Sequence, residues 1–362
     1  MTRSRSAVAT GRGVTEIAEF EVPAIKARDA VLRMEVIGVC GTDWHYYHDD
    51  AAGIRFPLIL GHECVGRVHQ IGKEASTKWE VREGDRVAVL EVIPCGDCRT
   101  CHSEIGNKFL CSNPLRYGAI PTTVPPSLWG GFSEFMYLDP RSIVFRIPEE
   151  IPSEVASLVV PISNGVDWVQ KGRPAWGPWD SIVIIGPGQH GLGCVVAAKK
   201  AGVSHIIVIG VHGDSKRLEV ARSLGADYTI HGDVENPLSR VRDFTSGSLA
   251  DTVVNVTDNS PESFLTCMQL ARKGGSIIMS GYSHSVLNSF PTDVIIEKAL
   301  TIRGVRGRDL GSVKEALDLM KQNQYPLKLL CSHKFSLQET DLALRTFARQ
   351  SSEDSIHVSI VP

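Results

Sequence analysis

At 362 residues the chain is longer than the point at which a single core usually stops growing, about 250 to 300 residues, so two domains with a cleft between them are expected. With 43% hydrophobic residues, 22% charged residues and a net charge of −3, the composition is that of an ordinary soluble globular protein, and charge singles out no partner class. No apolar run approaches the roughly 18 residues of a membrane span, and MTRSRSAVAT lacks the apolar core of a signal peptide, so a cytoplasmic protein without membrane or nucleic-acid partners is expected.

The first 150 residues carry short β-type runs broken by glycine and proline, such as AVLRMEVIGVC, CVGRVHQIG and DRVAVLEVIP, which predicts a mostly-β, partly barrel-like domain. PTTVPPSLWGG at 121–131 reads as a loop. From about 155 the texture changes to apolar strands alternating with helical stretches: SIVIIG, HIIVIG, DYTI, DTVVNVT, GSIIMSG and ALTIRG make six candidate strands. This is the sequence form of a doubly wound parallel sheet of the Rossmann type. After about 290 a helical stretch, SVKEALDLMKQN, and short β runs are too little for a core of their own, so the tail is expected to rejoin the first domain. The expected organisation is therefore 1–155 with 290–362 as one domain, and 156–289 as the dinucleotide-binding domain.

In SIVIIGPGQHGLG an apolar strand runs into Gly186-x-Gly188-x-x-Gly191 and a helix opens at once. The first glycine permits the tight turn, the second lets backbone approach a pyrophosphate, and the third allows close helix packing, while the helix N-terminus offers N–H groups to the anion. The acidic residue that grips the ribose hydroxyls is missing from the end of the second strand: Gly210 is followed by Val211, His212, Gly213 and Asp214. A small residue there, with His212, Lys216 and Arg217 close behind, admits a 2′-phosphate; alternatively Asp214 turns back to the ribose and keeps NAD. NAD and NADP both stay open.

Nine cysteines are an odd number, and Cys95, Cys98, Cys101 and Cys111 fall within one short loop-type segment as C-x2-C-x2-C-x9-C. Four thiolates at this spacing suit a closed tetrahedral zinc site; the expected compartment disfavours disulfides, and spacing alone does not exclude an iron–sulfur cluster. Upstream, GVCGTDWH at 38–45 and GHE at 61–63 bring Cys40, Thr42, Asp43, His45, His62 and Glu63 into one short stretch. A catalytic zinc wants three protein ligands and an open position, and this stretch holds several residues able to ligate one.

These stretches, with GDRV at 84–87, GGFSEF at 130–135 and the glycine turn, resemble the medium-chain, zinc-containing alcohol and polyol dehydrogenase family along essentially the whole chain. The resemblance implies a GroES-like mostly-β catalytic domain with a zinc lobe at 95–111, two zinc ions per chain, and NAD or NADP as cofactor. It implies that Cys40 and His62 bind the catalytic zinc, with Glu63 as ligand or near neighbour, and that Asp43 holds His62 from behind. Thr42 would hydrogen-bond the reacting oxygen, and its proton would pass by way of the cofactor ribose to His45, an apt acceptor near neutral pH. Two departures stand out. The gap between the third and fourth cysteines is nine residues where seven is common, and the further ligand position aligns with Val160-Pro161, which offers no ligand; Asn164 and Asp167 are weaker substitutes than Glu63.

The implied reaction is oxidation of an alcohol to a ketone, the alcohol secondary, alicyclic or a polyol, by a homodimer or homotetramer. Trp44, Tyr46, Phe56 and Trp129 are candidate apolar walls for the substrate. Cys64, Cys194, Cys267 and Cys331 are read as core residues, and His48, His69, His190 and His231 as surface or core histidines, with His190 near the pyrophosphate turn. Two competing readings are a zinc-free quinone or enoyl reductase, whose kind lacks the ligands at Cys40 and His62, and a non-catalytic dinucleotide-binding protein, against which the intact set of Cys40, Thr42, His45, His62 and Glu63 argues.

Overall fold

A computed structural model describes residues 2–362 except 50, 52, 104–106, 258–261, 283–285, 288 and 352–354. The chain forms two compact units: Met1–Val160 with Leu317–Gln322 and Cys331–Pro362, and Pro161–Ala316 with Asn323–Leu330.

The first unit is built around the strand Ala30–Gly38, whose residues are almost all buried. It pairs antiparallel with Glu63–Ile71, Phe135–Leu138 and the C-terminal strand His357–Val361, so that one strand anchors three other segments of chain. Arg86–Val89 and Val144–Arg146 extend this sheet on one side and Cys331–Ser336 on the other. Leu32, Ile37, Tyr47, Leu60, Phe132, Met136 and Leu138 pack into its core with almost no exposed surface. Each such side chain contributes about 1.5–3 kcal/mol by leaving water. A smaller sheet of Val14–Glu21, Arg3–Gly11 and Leu58–Ile59 lies in the same unit. The register places Gly38 directly opposite Glu63, and this pairing matters for the site.

The second unit holds a parallel sheet of six strands in the spatial order Tyr228–His231, His205–Gly210, Ser181–Ile185, Ala250–Asn255, Ala271–Met279, Thr301–Gly304. Its central runs, SIVII and ADTVVN, are buried at every position, as a sheet covered on both faces requires. In chain order the strands read 3-2-1-4-5-6, the dinucleotide-binding arrangement, with the order reversing between Ser181–Ile185 and Ala250–Asn255. The six expected strands are all present. The return to the first unit comes at Leu317, however, beyond the expected position near 290, because Thr301–Gly304 pairs with Ala271–Met279 and keeps its flanking chain with this sheet. Helix Leu310–Gln322 covers the expected helical stretch. Among the described residues no helix is long and apolar enough to cross a membrane.

Candidate active site and metal centres

Cys40 ends the chain segment leaving Ala30–Gly38 and forms the N-cap of helix Gly41–His48. Three residues on, Asp43 is completely buried and bonds in three directions. Its Oδ2 accepts from the Cys40 backbone N–H at 3.0 Å; its Oδ1 accepts from Gly61 N–H at 3.0 Å and lies 3.0 Å from His62 Nδ1. One carboxylate thus ties together the two segments that carry Cys40 and His62. A carboxylate only accepts, so the hydrogen of His62 sits on Nδ1 and Nε2 is left as the donor to a cation.

Glu63 is also fully buried, held there because its partner in the ladder is Gly38. A Cβ at position 38 would lie 2.5 Å from Glu63 Oε2 and 2.9 Å from His357 Cε1, so only glycine leaves the carboxylate its place. His357 in turn is fixed by Ser157, 2.8 Å from its Nε2. One thiol, one imidazole and one carboxylate from Cys40, His62 and Glu63 bring ligand atoms within 4.8 Å of one another. Burial and the Glu63 carboxylate push the Cys40 thiol up. At His62 burial works against protonation, yet the Asp43 carboxylate outweighs it and holds the imidazole well above its ordinary value. A divalent cation inverts both balances: it favours thiolate and neutral imidazole, the forms that ligate. A set of two anionic donors and one imidazole, with His62 and Glu63 buried and Cys40 partly so, therefore fits zinc.

Thr42 and His45 stand three residues apart on the same helix, hence on one face. Thr42 is exposed and His45 half-buried. Val160 and Pro161 carry no metal-ligating side chain. Asn164 and Asp167 belong to the second unit and are engaged within it: Asn164 accepts from Arg308 at 3.2 Å, and Asp167 takes Asp309 N–H at 3.1 Å and Lys171 at 2.5 Å.

In the second donor group Cys95, Cys98, Cys101 and Cys111 bring their sulfurs to 3.5–3.9 Å across four of the edges. A tetrahedron with Zn–S bonds of 2.3 Å has edges of about 3.8 Å, so the four thiols match a single ion. A disulfide would need sulfurs at about 2 Å, and all four cysteines are free. N–H groups of Ser112 and Cys101 pull the Cys98 thiol down to about 5, which readies a thiolate, and the Cys95 N–H donates to Cys111 Sγ at 3.2 Å. Lys108 closes the lobe by donating to the carbonyls of Thr100, Cys101 and Ser103. Residues 104–106 of the longer third spacing lie outside the described residues.

In the second unit the strand Ser181–Ile185 turns at Gly186, whose φ of +103° suits only glycine, into helix Gln189–Lys200. A Cβ at Gly191 would lie 1.9 Å from the Gly186 carbonyl, while a Cβ at Gly188 would meet nothing within 4 Å. The first and third glycines are thus needed by the turn itself, and the second faces open space beside the helix N-terminus, which no side chain caps. That arrangement fits a pyrophosphate. At the next strand end, beyond Gly210, Asp214 is buried, accepts from Val211 N–H at 3.0 Å and lies 3.5 Å from Arg217 Nη1. Nothing in the residue pattern singles out Asp233, which accepts the His212 N–H at 2.8 and 3.0 Å. Lys216 is exposed.

The remaining residues separate cleanly. Burial in apolar surroundings pushes the thiols of Cys64, Cys194 and Cys267 up, so they are core residues. Trp129 is buried in the first core and donates to the Val124 carbonyl at 2.9 Å, which removes it from the expected substrate wall; Trp44, Tyr46 and Phe56 are only partly buried. His190 lies 3.4 Å from Asn164 Nδ2.

A β-rich unit with two thiolate-bearing donor groups, next in sequence to a dinucleotide fold, defines a metal-dependent dehydrogenase. Two family models agree: the alcohol dehydrogenase GroES-like domain matches residues 26–149 and the zinc-binding dehydrogenase domain residues 191–322. The chain is 34% identical to a probable alcohol dehydrogenase of Mycobacterium tuberculosis over 96% of its own length and 95% of that protein. It is 30% identical to L-threonine 3-dehydrogenase of Bacillus subtilis over 89% of each chain. Among solved structures, an alcohol dehydrogenase from Thermus sp. ATN1 superposes with a TM-score of 0.83 at 26% identity, over 99% of both chains. The chain belongs to the medium-chain, zinc-binding alcohol dehydrogenase family and is an NAD(P)-dependent oxidoreductase.

Proposed function

We propose that the protein oxidises a secondary alcohol, a polyol among the candidates, to the ketone, with one catalytic and one structural zinc per chain. The observation that carries this reading is the set of three hydrogen bonds that Asp43 accepts from Cys40, Gly61 and His62, beside the donor group of Cys40, His62 and Glu63 at the foot of the helix bearing Thr42 and His45. Bound to Cys40, His62 and Glu63, zinc supplies Lewis acidity to an alcohol oxygen, and NAD(P)+ supplies the hydride acceptor. Thr42 orients the reacting hydroxyl and holds its proton, and His45 takes that proton up before it reaches solvent. Gly186, Gly188 and Gly191 bind the pyrophosphate, and the segment from Gly210 to Arg217, including His212, Asp214 and Lys216, meets the adenosine ribose.

A secondary alcohol is favoured because relatives named for L-threonine 3-oxidation, for sorbitol and for erythritol or L-threitol match over 89–96% of this chain. Purified protein incubated with a panel of secondary alcohols and polyols and either dinucleotide tests the reading through the near-ultraviolet absorbance of reduced nicotinamide, before and after chelation. Chelator-sensitive reduction is expected; turnover that survives complete zinc removal, or reduction with primary alcohols alone, overturns it. Among the described residues no strand pairs with the outer side of Thr301–Gly304, which supports a homo-oligomer, to be checked by light scattering. Four free cysteines as a metal site suit the cytoplasm.

A further inference from the structure

The helix that carries His45 ends in a feature that the metal site does not use. Asp49 is its C-cap, and the Asp49 backbone N–H donates to the His45 carbonyl at 3.0 Å. The side chain turns back over the same residue: Oδ2 lies 2.5 Å from His45 Nδ1, and Oδ1 lies 2.9 Å from Nδ1 of His48. His48 is itself steadied by Trp44, its ring stacked at 4.6 Å and 15° from parallel. One carboxylate is therefore clamped between two imidazoles on adjacent turns. Its contacts with His45 first and His48 second hold the Asp49 carboxyl below the ordinary carboxylate range.

A neutral imidazole has one donor and one acceptor nitrogen, and a carboxylate only accepts. An Asp49 carboxylate against Nδ1 therefore demands the hydrogen on that nitrogen and leaves the lone pair on Nε2. We propose that Asp49 is a positioning residue of the proton relay, holding His45 in the Nδ1–H form so that Nε2 takes up the proton released by alcohol oxidation. The inference rests on the reading of His45 as the relay base. In the balanced step the carbon gives up a hydride to NAD(P)+ and the hydroxyl gives up one proton. That proton binds Nε2 of His45, the Nδ1–H bond to Asp49 stays intact, and the positive charge forms beside a carboxylate. The proton then leaves Nε2 for solvent and restores the starting form. Asp341, on the neighbouring helix Thr340–Phe347, takes no part, being bonded to Tyr47 and Arg345.

Asp49→Asn is the discriminating variant. It keeps the backbone cap and the shape, yet its amide can present N–H to His45 Nδ1, which then favours hydrogen on Nε2, the wrong nitrogen for the relay. The single-turnover rate of alcohol oxidation is expected to fall about 10- to 100-fold, within the range of general acid–base contributions, while the KM for alcohol moves less than about threefold. Asp49→Glu, which retains the carboxylate, recovers most of that loss. Independently of activity, 15N chemical shifts in mildly alkaline solution should show His45 protonated on Nδ1 in the native protein and on Nε2 in Asp49→Asn. A native rate and an unchanged tautomer in Asp49→Asn overturn the inference. His45→Gln, measured alongside, separates the two levels: a native rate there removes the relay reading itself, whereas loss in His45→Gln with none in Asp49→Asn removes only the role of Asp49.

Discussion

Replacing Asp43 by alanine cuts a carboxylate that joins the segments carrying Cys40 and His62, the two ends of the proposed catalytic donor set. The carboxylate is completely buried and holds Cys40 N–H, Gly61 N–H and His62 Nδ1, each at 3.0 Å. Loss of an oriented partner behind a metal-bound histidine typically weakens metal affinity about 10- to 100-fold, equivalent to about 1.4–2.7 kcal/mol. The two backbone N–H groups lose a charged acceptor as well, at about 1–3 kcal/mol each when buried and unsatisfied. Together these terms come to about 3–9 kcal/mol, which neighbouring water reduces. The assay is zinc content after dialysis against graded chelator, with thermal unfolding in parallel. The Cys95, Cys98, Cys101 and Cys111 site should keep its metal, so Asp43→Ala should fall from two zincs to one at chelator levels that native protein tolerates. A variant that holds both zincs as firmly as the native chain would refute the reasoning, because the bond to His62 would then contribute nothing to the site.

Gly38→Ala places a Cβ 2.5 Å from Glu63 Oε2, so overpacking of about 1–3 kcal/mol is expected, read as a lowered melting temperature with loss of the catalytic zinc; native values for both would show that Glu63 has room to move. Gly188→Ala and Gly191→Ala form a pair: the first meets only open space and should keep its melting temperature while weakening dinucleotide binding, whereas the second meets the Gly186 carbonyl at 1.9 Å and should lose both, as fluorescence titration and calorimetry will show. Acid sensitivity has a defined sign at half-buried Asp139. Burial raises its carboxyl, but bonds from Arg141 outweigh that and hold it below the ordinary value, so its contribution is present above about pH 4 and lost as pH falls through the lower folded value. Asp139→Asn should therefore lower the urea midpoint near neutrality and converge with native protein in acid; a constant difference at all pH would contradict this.

Much of the fold could be read from residues alone. The alternation of SIVIIG, HIIVIG and DTVVNVT with helical stretches is a local pattern, as is the glycine turn, and the strand order 3-2-1-4-5-6 follows once those are recognised. Both donor groups were legible because their ligands lie close in sequence: 40, 62 and 63 in one, 95 to 111 in the other. What stayed hidden depends on register or on helix ends. That Gly38 faces Glu63 requires the pairing of two strands, and the return of the chain at Leu317 requires Thr301–Gly304 to join the sheet edge. Asp49 and His48 look like surface polar residues until the helix stops at His48 and turns Asp49 back onto His45. Trp129 carried no mark of burial in its sequence context; its bond to the Val124 carbonyl and the packing of Tyr137 edge-on against it show that it belongs to the core.

The central claim, that Cys40, His62 and Glu63 form the catalytic zinc site of a secondary-alcohol dehydrogenase, is tested most directly by the rate of nicotinamide reduction by native protein and Cys40→Ser in samples of measured zinc content. The expected result is two zincs and reduction with a secondary alcohol in the native protein, against one zinc and no reduction in the variant. Equal rates in the two, or a variant that keeps both zincs while losing activity, would contradict the assignment of Cys40 as a catalytic ligand.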